Sequence, residues 1–204
     1  MRILFLILAT LALAQCASTG DSGPRVSESE RARVIIGVAK SADGQEARYA
    51  LLWRQLDPSG AFASYDGRTV FEVQTNQGHT VRVQGIPGEF ELLQVDPGVY
   101  ALDSVFGVIR TNRVDYVAEG VVAGPERPTF EVRAGEAIYL GIWEASIEEA
   151  RAVVRPWRLD QADLRAVLRN SDWAVGEVRV RETHTRSVAC EPRQLNPRSR
   201  RQVC

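Results

Sequence analysis

The sequence predicts a mainly β protein, an antiparallel β-sandwich with one short helix near residues 160–169 and an irregular basic C-terminal tail. From Val34 onward, short apolar or alternating runs recur about every ten residues, and Gly, Pro and Asp separate them. A single segment carries a helical apolar period. The chain has 204 residues, 45% of them hydrophobic and 25% charged, which is a globular composition. These observations place the sandwich over residues 33–181.

Ten segments have the pattern of strands. In the run that begins at Thr80, only Val81 and Val83 are apolar, and this alternation is typical of a half-buried strand. Pro-Gly pairs such as Pro97-Gly98 supply the turns, since Pro presets φ and Gly accepts a positive φ. A solvated bend is expected after residue 145. The predicted strands are 34–39, 49–56, 70–74, 80–84, 89–95, 99–106, 115–121, 129–133, 137–145 and 176–181.

The single predicted helix begins after Asp160. Asp160 and Asp163 have the spacing of a capping box, with Asp in place of Glu at the third position. Leu164, Val167 and Leu168 then form one apolar stripe. Such a helix would lay its stripe on the sandwich or cap one open end.

The N-terminus has the pattern of an export signal. Arg2 precedes an apolar run over residues 3–13, which is shorter than the roughly 20 residues that span a bilayer and matches a secretory signal. The sequence Leu-Ala-Gln-Cys that ends at Cys16 resembles a bacterial lipobox, although Gln15 replaces the small residue preferred there. Ordinary cleavage after Ala14 is the alternative.

The lipobox resemblance implies a location. It makes residues 1–15 a signal peptide and Cys16 the lipid-carrying first residue of the mature protein, whose acyl chains attach it to a membrane. Ala17, after the cysteine, favours the outer membrane of the bacterial cell envelope, on its periplasmic side. Residues 16–32 are small, polar and broken by Gly and Pro, and this composition predicts a flexible tether.

The cysteine count is consistent with export. The chain has three cysteines, and lipidation of Cys16 leaves Cys190 and Cys204. An oxidising compartment would let these two pair, and the alternative is two unpaired thiols.

Two segments resemble a known type of sandwich. Residues 89–102 contain an apolar strand, a Pro-Gly turn and a Gly-x-Tyr strand, and residues 130–141 form a later hairpin pattern. Both resemble hairpins of transthyretin-like and carboxypeptidase-regulatory-like β-sandwiches, which occur in bacterial lipoproteins of unknown function. The resemblance implies a fold and supplies no catalytic residue.

Motifs for chemistry are missing from the sequence. It has no phosphate-binding glycine loop, hydrolase elbow, calcium loop or zinc motif, so we predict no catalytic residue, cofactor or metal. His79 and His184 are expected as exposed strand-end residues; as alternatives they could serve a zinc site, or His184 could serve a triad with Ser187. Trp157 is the aromatic residue most expected at the surface, where it could bind glycan.

The C-terminal tail, residues 182–204, differs in charge from the body. From Arg181 onward six arginines face two glutamates, whereas the whole chain has a formal net charge of −1. That balance gives no electrostatic reason to expect nucleic acid. This excess of arginine predicts that the tail contacts an anionic group or partner. The alternative is a solvated tail that pairs with the acidic body. The candidate contacts are Arg193, Arg198, Arg200 and Arg201.

These features favour a non-enzymatic, membrane-tethered envelope lipoprotein that acts as an interaction or structural module. Its partner would be an envelope protein or polymer. The alternatives are a periplasmic hydrolase that uses His184 or His79, and a carrier of a small apolar ligand within the sandwich.

Overall fold

The computed structural model describes residues 27, 30–42, 47–110, 115–122, 124–198 and 201–204. The predicted signal peptide, Cys16 and most of the predicted tether therefore lie outside the described residues. Within the described residues the chain forms thirteen strands and one helix: β1 (Ala32–Lys40), β2 (Arg48–Gln55), β3 (Val70–Gln74), β4 (Glu89–Val95), β5 (Gly98–Arg110), β6 (Asp115–Val121), β7 (Glu126–Val132), β8 (Ala137–Glu148), β9 (Arg151–Arg158), α1 (Gln161–Arg169), β10 (Val178–Val180), β11 (His184–Ser187), β12 (Arg193–Gln194) and β13 (Gln202–Val203).

The strands form two layers, as the sequence predicts for a β-sandwich. The first sheet runs β3-β2-β5, and β6 and β7 share the other edge of β5, with β11 beyond β7. The second sheet contains β9, β8, β1 and β4, and β10 continues the β9 edge of β8. One residue pair, Glu119 with Arg151, joins the two sheets through β6 and β9.

Most neighbouring strands are antiparallel, which confirms the predicted class. Three pairs are parallel, namely β1 with β8, β8 with β10 and β6 with β9. Apolar residues alternate with the same period of two in either orientation, so alternation could not reveal these pairs.

The main core lies between the two sheets. Trp53 and Trp143 are completely buried there, with ring centroids 5.2 Å apart and planes nearly perpendicular. Phe130 packs edge-on against Trp53 at the same centroid distance. Burying such a side chain contributes roughly 1.5–3 kcal/mol, so these aromatics stabilise the packing of the two sheets.

The predicted strand at residues 80–84 is wrong. Only Val81 pairs with a neighbour, exchanging two backbone hydrogen bonds of 2.8 Å with Phe90, and a turn at Gly85 follows. Val81 and Val83 nevertheless pack beside Phe90 on the outer face of the second sheet. The alternation therefore reflects a loop that lays apolar side chains on a sheet, which gives the same sequence pattern as a strand.

The predicted bend after residue 145 is a tight hairpin. β8 continues to Glu148, and Glu149 and Ala150, at φ 47° and 66°, turn the chain into β9. Two-residue hairpin turns that need positive φ usually contain Gly, Asn or Asp. Because neither Glu149 nor Ala150 is of this type, the sequence indicated a bend here but neither the tight turn nor β9.

The helix forms where the sequence predicts it. Asp160 caps it by accepting a 2.7 Å hydrogen bond from the Ala162 N–H, whereas Asp163 contacts Arg158 instead of completing a capping box. Leu164 and Val167 are buried against the outer face of the second sheet. Within the described residues, no helix is long and apolar enough to cross a bilayer.

The segment predicted as an irregular tail contributes three short strands. β11 adds to the edge of the first sheet by pairing with β7, and β12 pairs with β13 in a separate two-stranded ribbon. The four side chains of β11 are exposed, so the apolar-alternation signal of a half-buried strand is missing from its sequence. This ribbon brings the C-terminal residues over the outer face of the first sheet, where the candidate site lies.

Candidate functional site

A disulfide closes the C-terminal segment. Cys190 and Cys204 are bonded, with their Cα atoms 4.9 Å apart, as the cysteine count predicts. We call residues 190–204 the C-terminal loop. Closing a loop of this length removes about 3 kcal/mol of conformational freedom from the unfolded chain in the chain-entropy account, so the bond favours one arrangement of a segment that has little apolar sequence.

The C-terminal loop is fixed to the first sheet by apolar packing. Val203 is buried against Leu52 and Phe106, which lie on the outer face of that sheet, and Leu195 packs beside them. This small cluster is separate from the core between the sheets. The loop therefore covers an apolar patch that would otherwise face water.

Arg201 adds a second attachment. Its guanidinium lies 3.9 Å from the centroid of the Phe106 ring and forms an ion pair of 2.9 Å with Glu72 on β3. A cation over an aromatic face contributes roughly 0.5–2 kcal/mol, depending on how far it is removed from water. Arg201 thus holds the loop on the sheet.

A buried group of charges provides the third attachment. Arg54, Asp103 and Arg127 lie on the outer face of the first sheet, and each is at most 1% exposed. The Asp103 carboxylate accepts a 2.8 Å hydrogen bond from the Cys204 N–H, and its other oxygen lies 3.1 Å from Arg54 Nε. Asp103 therefore connects the end of the C-terminal loop to β2 and β5.

Arg127 stabilises the same region through backbone carbonyls. Its guanidinium donates to the Leu102 and Asp103 carbonyl oxygens at 3.2 and 2.9 Å and to that of Val122 at 3.1 Å. The ring of Phe62 lies 4.4 Å from the Arg54 guanidinium carbon and 5.5 Å from that of Arg127. Two cations thus lie against one aromatic ring, and the charge of Asp103 acts on both.

Burial dominates the titration of these groups. It raises the pKa of the Asp103 carboxyl, against the opposing effects of the Cys204 N–H and the Arg54 charge. Burial lowers the pKa of Arg54, Asp103 opposes that shift, and the charge of Arg193 in the C-terminal loop adds to it. The charge of Arg193 in the C-terminal loop therefore affects the pKa of the buried Arg54.

The structure divides the four predicted contact arginines into different roles. Arg193 and Arg198 are exposed, and their guanidinium groups have no ion-pair partner among the described residues. Arg201 is engaged with Glu72 and Phe106, so it holds the loop instead of facing a partner. Arg200, like Cys16, lies outside the described residues.

The two histidines of the alternative hydrolase lie outside the C-terminal loop, His79 between β3 and β4 and His184 on β11. His79 Nε2 lies 2.9 Å from Glu91 Oε1, and the His79 side chain is 64% exposed. His184 and Ser187 are both exposed on β11, and side chains three apart on a strand point to opposite faces. The structure therefore does not bring together the triad considered from the sequence.

Among the described residues no group of three or more His, Cys, Asp or Glu side chains is placed to hold a metal.

Sequence reasoning missed the buried charge cluster. A signal was present, because Arg54 follows Ala50 and Leu52 at the strand period and Asp103 interrupts the apolar run of β5. A charged residue within an apolar strand indicates a buried partner of opposite charge. Which strands supply that partner depends on pairing between distant segments.

No protein family, curated protein or solved structure matches this chain. The fold and the site define a β-sandwich that carries a fixed, disulfide-closed basic loop.

Proposed function

We propose that this protein is a membrane-tethered lipoprotein of the cell envelope, anchored through Cys16, that acts as a non-enzymatic interaction module. Its C-terminal loop presents Arg193 and Arg198 to an acidic envelope protein or polymer. The expected location is the periplasmic side of the outer membrane.

The observation that carries the proposal is the contrast between a fixed loop and its unengaged arginines. The loop is held by the Cys190–Cys204 disulfide, by Val203 and by Asp103, whereas Arg193 and Arg198 face solvent. A binding surface whose backbone is already ordered loses less entropy on association. Guanidinium groups suit carboxylates and phosphates because they form paired hydrogen bonds.

The binding test compares two double variants of equal charge. Arg193→Gln with Arg198→Gln removes the exposed loop charges, and Arg165→Gln with Arg169→Gln removes two exposed charges from α1 on the outer face of the second sheet. Gln194 is exposed and lies between Arg193 and Arg198 in the chain. A photo-crosslinking amino acid placed there captures partners in living cells, which mass spectrometry then identifies.

We expect the wild type and the α1 variant to capture the same acidic partner and the loop variant to lose it. Binding of the purified partner should weaken as salt rises, since exposed charges are screened. Equal capture by all three proteins would contradict the proposed role of the loop.

The anchor has its own test. Cys16→Ser should abolish incorporation of labelled palmitate and release the protein from the membrane fraction, because the proposal assigns all acyl chains to this residue. Labelling that persists in this variant would refute the anchor.

A further inference from the structure

A second candidate binding site lies away from the C-terminal loop. A depression of about 270 Å³ lies where β9 ends and residues 181–183 connect β10 to β11, passing from the second sheet to the first. Leu140 and Ile142 contribute apolar lining, and Trp157 and Arg158 line it from β9. This volume lies just below the range of about 300–1,000 Å³ that is typical of pockets for drug-sized ligands, so the depression suits one small ring.

Trp157 is unusual among the tryptophans of this chain. It is 50% exposed, whereas Trp53 and Trp143 are fully buried in the core. Val180, which directly precedes the lining residue Arg181, is another of the large exposed apolar side chains. An indole surface left in water beside a depression is a typical contact for a ligand with an apolar face.

The two arginines at the depression are held in place. Arg158 contacts both carboxylate oxygens of Asp163, at 2.6 and 2.8 Å, and Arg181 forms an ion pair with Glu136. Glu182 and Thr183 have no side-chain partner among the described residues. The rim therefore offers fixed hydrogen-bond donors together with an uncommitted carboxylate and hydroxyl.

This mixture disfavours an ionic ligand. Asp163 and Glu136 already balance the charges of Arg158 and Arg181, so these arginines attract an anion little, and the Glu182 carboxylate would repel one. That single exposed carboxylate would hold a cation only weakly. Neutral hydroxyl groups can donate to Glu182 and accept from Thr183 or an arginine at the same time. The ligand that fits is neutral, rich in hydroxyl groups and apolar on one face of a small ring.

We propose that this depression binds one neutral sugar residue of a carbohydrate chain. The C–H face of the sugar ring stacks on the Trp157 indole, and its hydroxyl groups bond to Glu182, Thr183 and the fixed arginines. This site is separate from the acidic-partner site of the C-terminal loop and does not depend on it.

The first experiment screens the full-length protein against an array of neutral oligosaccharides that covers hexose and N-acetylhexosamine polymers. Bound oligosaccharides are then titrated while acrylamide quenching of tryptophan fluorescence is followed. Trp157 supplies the most exposed indole, so a bound sugar should protect it from quenching.

The decisive comparison is Trp157→Ala against Tyr65→Ala, which removes another exposed aromatic side chain, one 36% exposed. We expect Trp157→Ala to weaken binding at least about tenfold, as loss of an aromatic stacking contact predicts, and Tyr65→Ala to leave it unchanged. Thermal unfolding of both variants checks that they fold.

Three results would overturn the proposal. They are no binding across the whole array, equal binding by wild type and Trp157→Ala, and Trp157-dependent binding of proline-rich peptides in place of sugars. The loop variant Arg193→Gln with Arg198→Gln should still bind sugar, so failure of the sugar site and failure of the proposed function are distinguishable.

Discussion

Replacing Asp103 with Asn tests whether the buried charge cluster holds the C-terminal loop. Asn keeps the size of the side chain and an oxygen for the Cys204 N–H, but it leaves Arg54 and Arg127 without a buried counter-charge. Removing one partner of a buried ion pair costs about 3–5 kcal/mol. At roughly 2–4 °C per kcal/mol for a chain of this size, Tm should fall by roughly 6–20 °C.

The matched control is Glu144→Gln, the same chemical change in an exposed ion pair. Glu144 lies 2.9 Å from Arg155, whose side chain is 65% exposed. Exposed pairs of this kind contribute about 0–1 kcal/mol, so this variant should stay close to the wild type. Urea unfolding of the purified, oxidised proteins, followed by tryptophan fluorescence, gives the free energy of unfolding for each variant.

A double variant covers the case in which Asp103→Asn fails to fold. Adding Arg54→Met removes a buried cation together with the anion, and much of the lost stability should return, because a neutral replacement of a buried pair is often tolerated. The reasoning is refuted if Asp103→Asn unfolds within about 1 kcal/mol of the wild type. It is refuted equally if the double variant is less stable than Asp103→Asn.

Three further predictions follow from the same contacts. Cys190→Ala with Cys204→Ala should lower the free energy of unfolding by about 3 kcal/mol, as loop closure predicts, and urea unfolding that matches the wild type would contradict this. Asp160→Ala should cost about 0.5–2 kcal/mol through loss of the α1 cap, while Asp160→Asn should cost less, both measured by thermal unfolding. Burial raises the pKa of Tyr100 and Tyr139 in the folded state, so the stability that these tyrosines contribute should be complete below about pH 10 and decline above it. Ultraviolet titration should show both tyrosines ionising only as the protein unfolds. Their ionisation in the folded protein would contradict this expectation.

The sequence alone determined the features that depend on local pattern. Alternation and Pro-Gly turns located most strands, and the Asp160 cap with its apolar stripe located α1. The odd number of cysteines led to the Cys190–Cys204 pair, and the charges around Trp157 indicated a surface position. These signals are readable because side-chain period, turn geometry and burial act over a few residues.

Tertiary structure decided what depends on contacts between distant segments. It separated the exposed Arg193 and Arg198 from Arg201, because Glu72 and Phe106 reach Arg201 from strands far away in the sequence. Arg54 and Asp103 became one cluster only when β2 paired with β5, a pairing that no local pattern specifies. The sequence thus determined which residues are basic, cysteine or apolar. Long-range strand pairing decided which of them are buried, which hold the C-terminal loop and which face solvent.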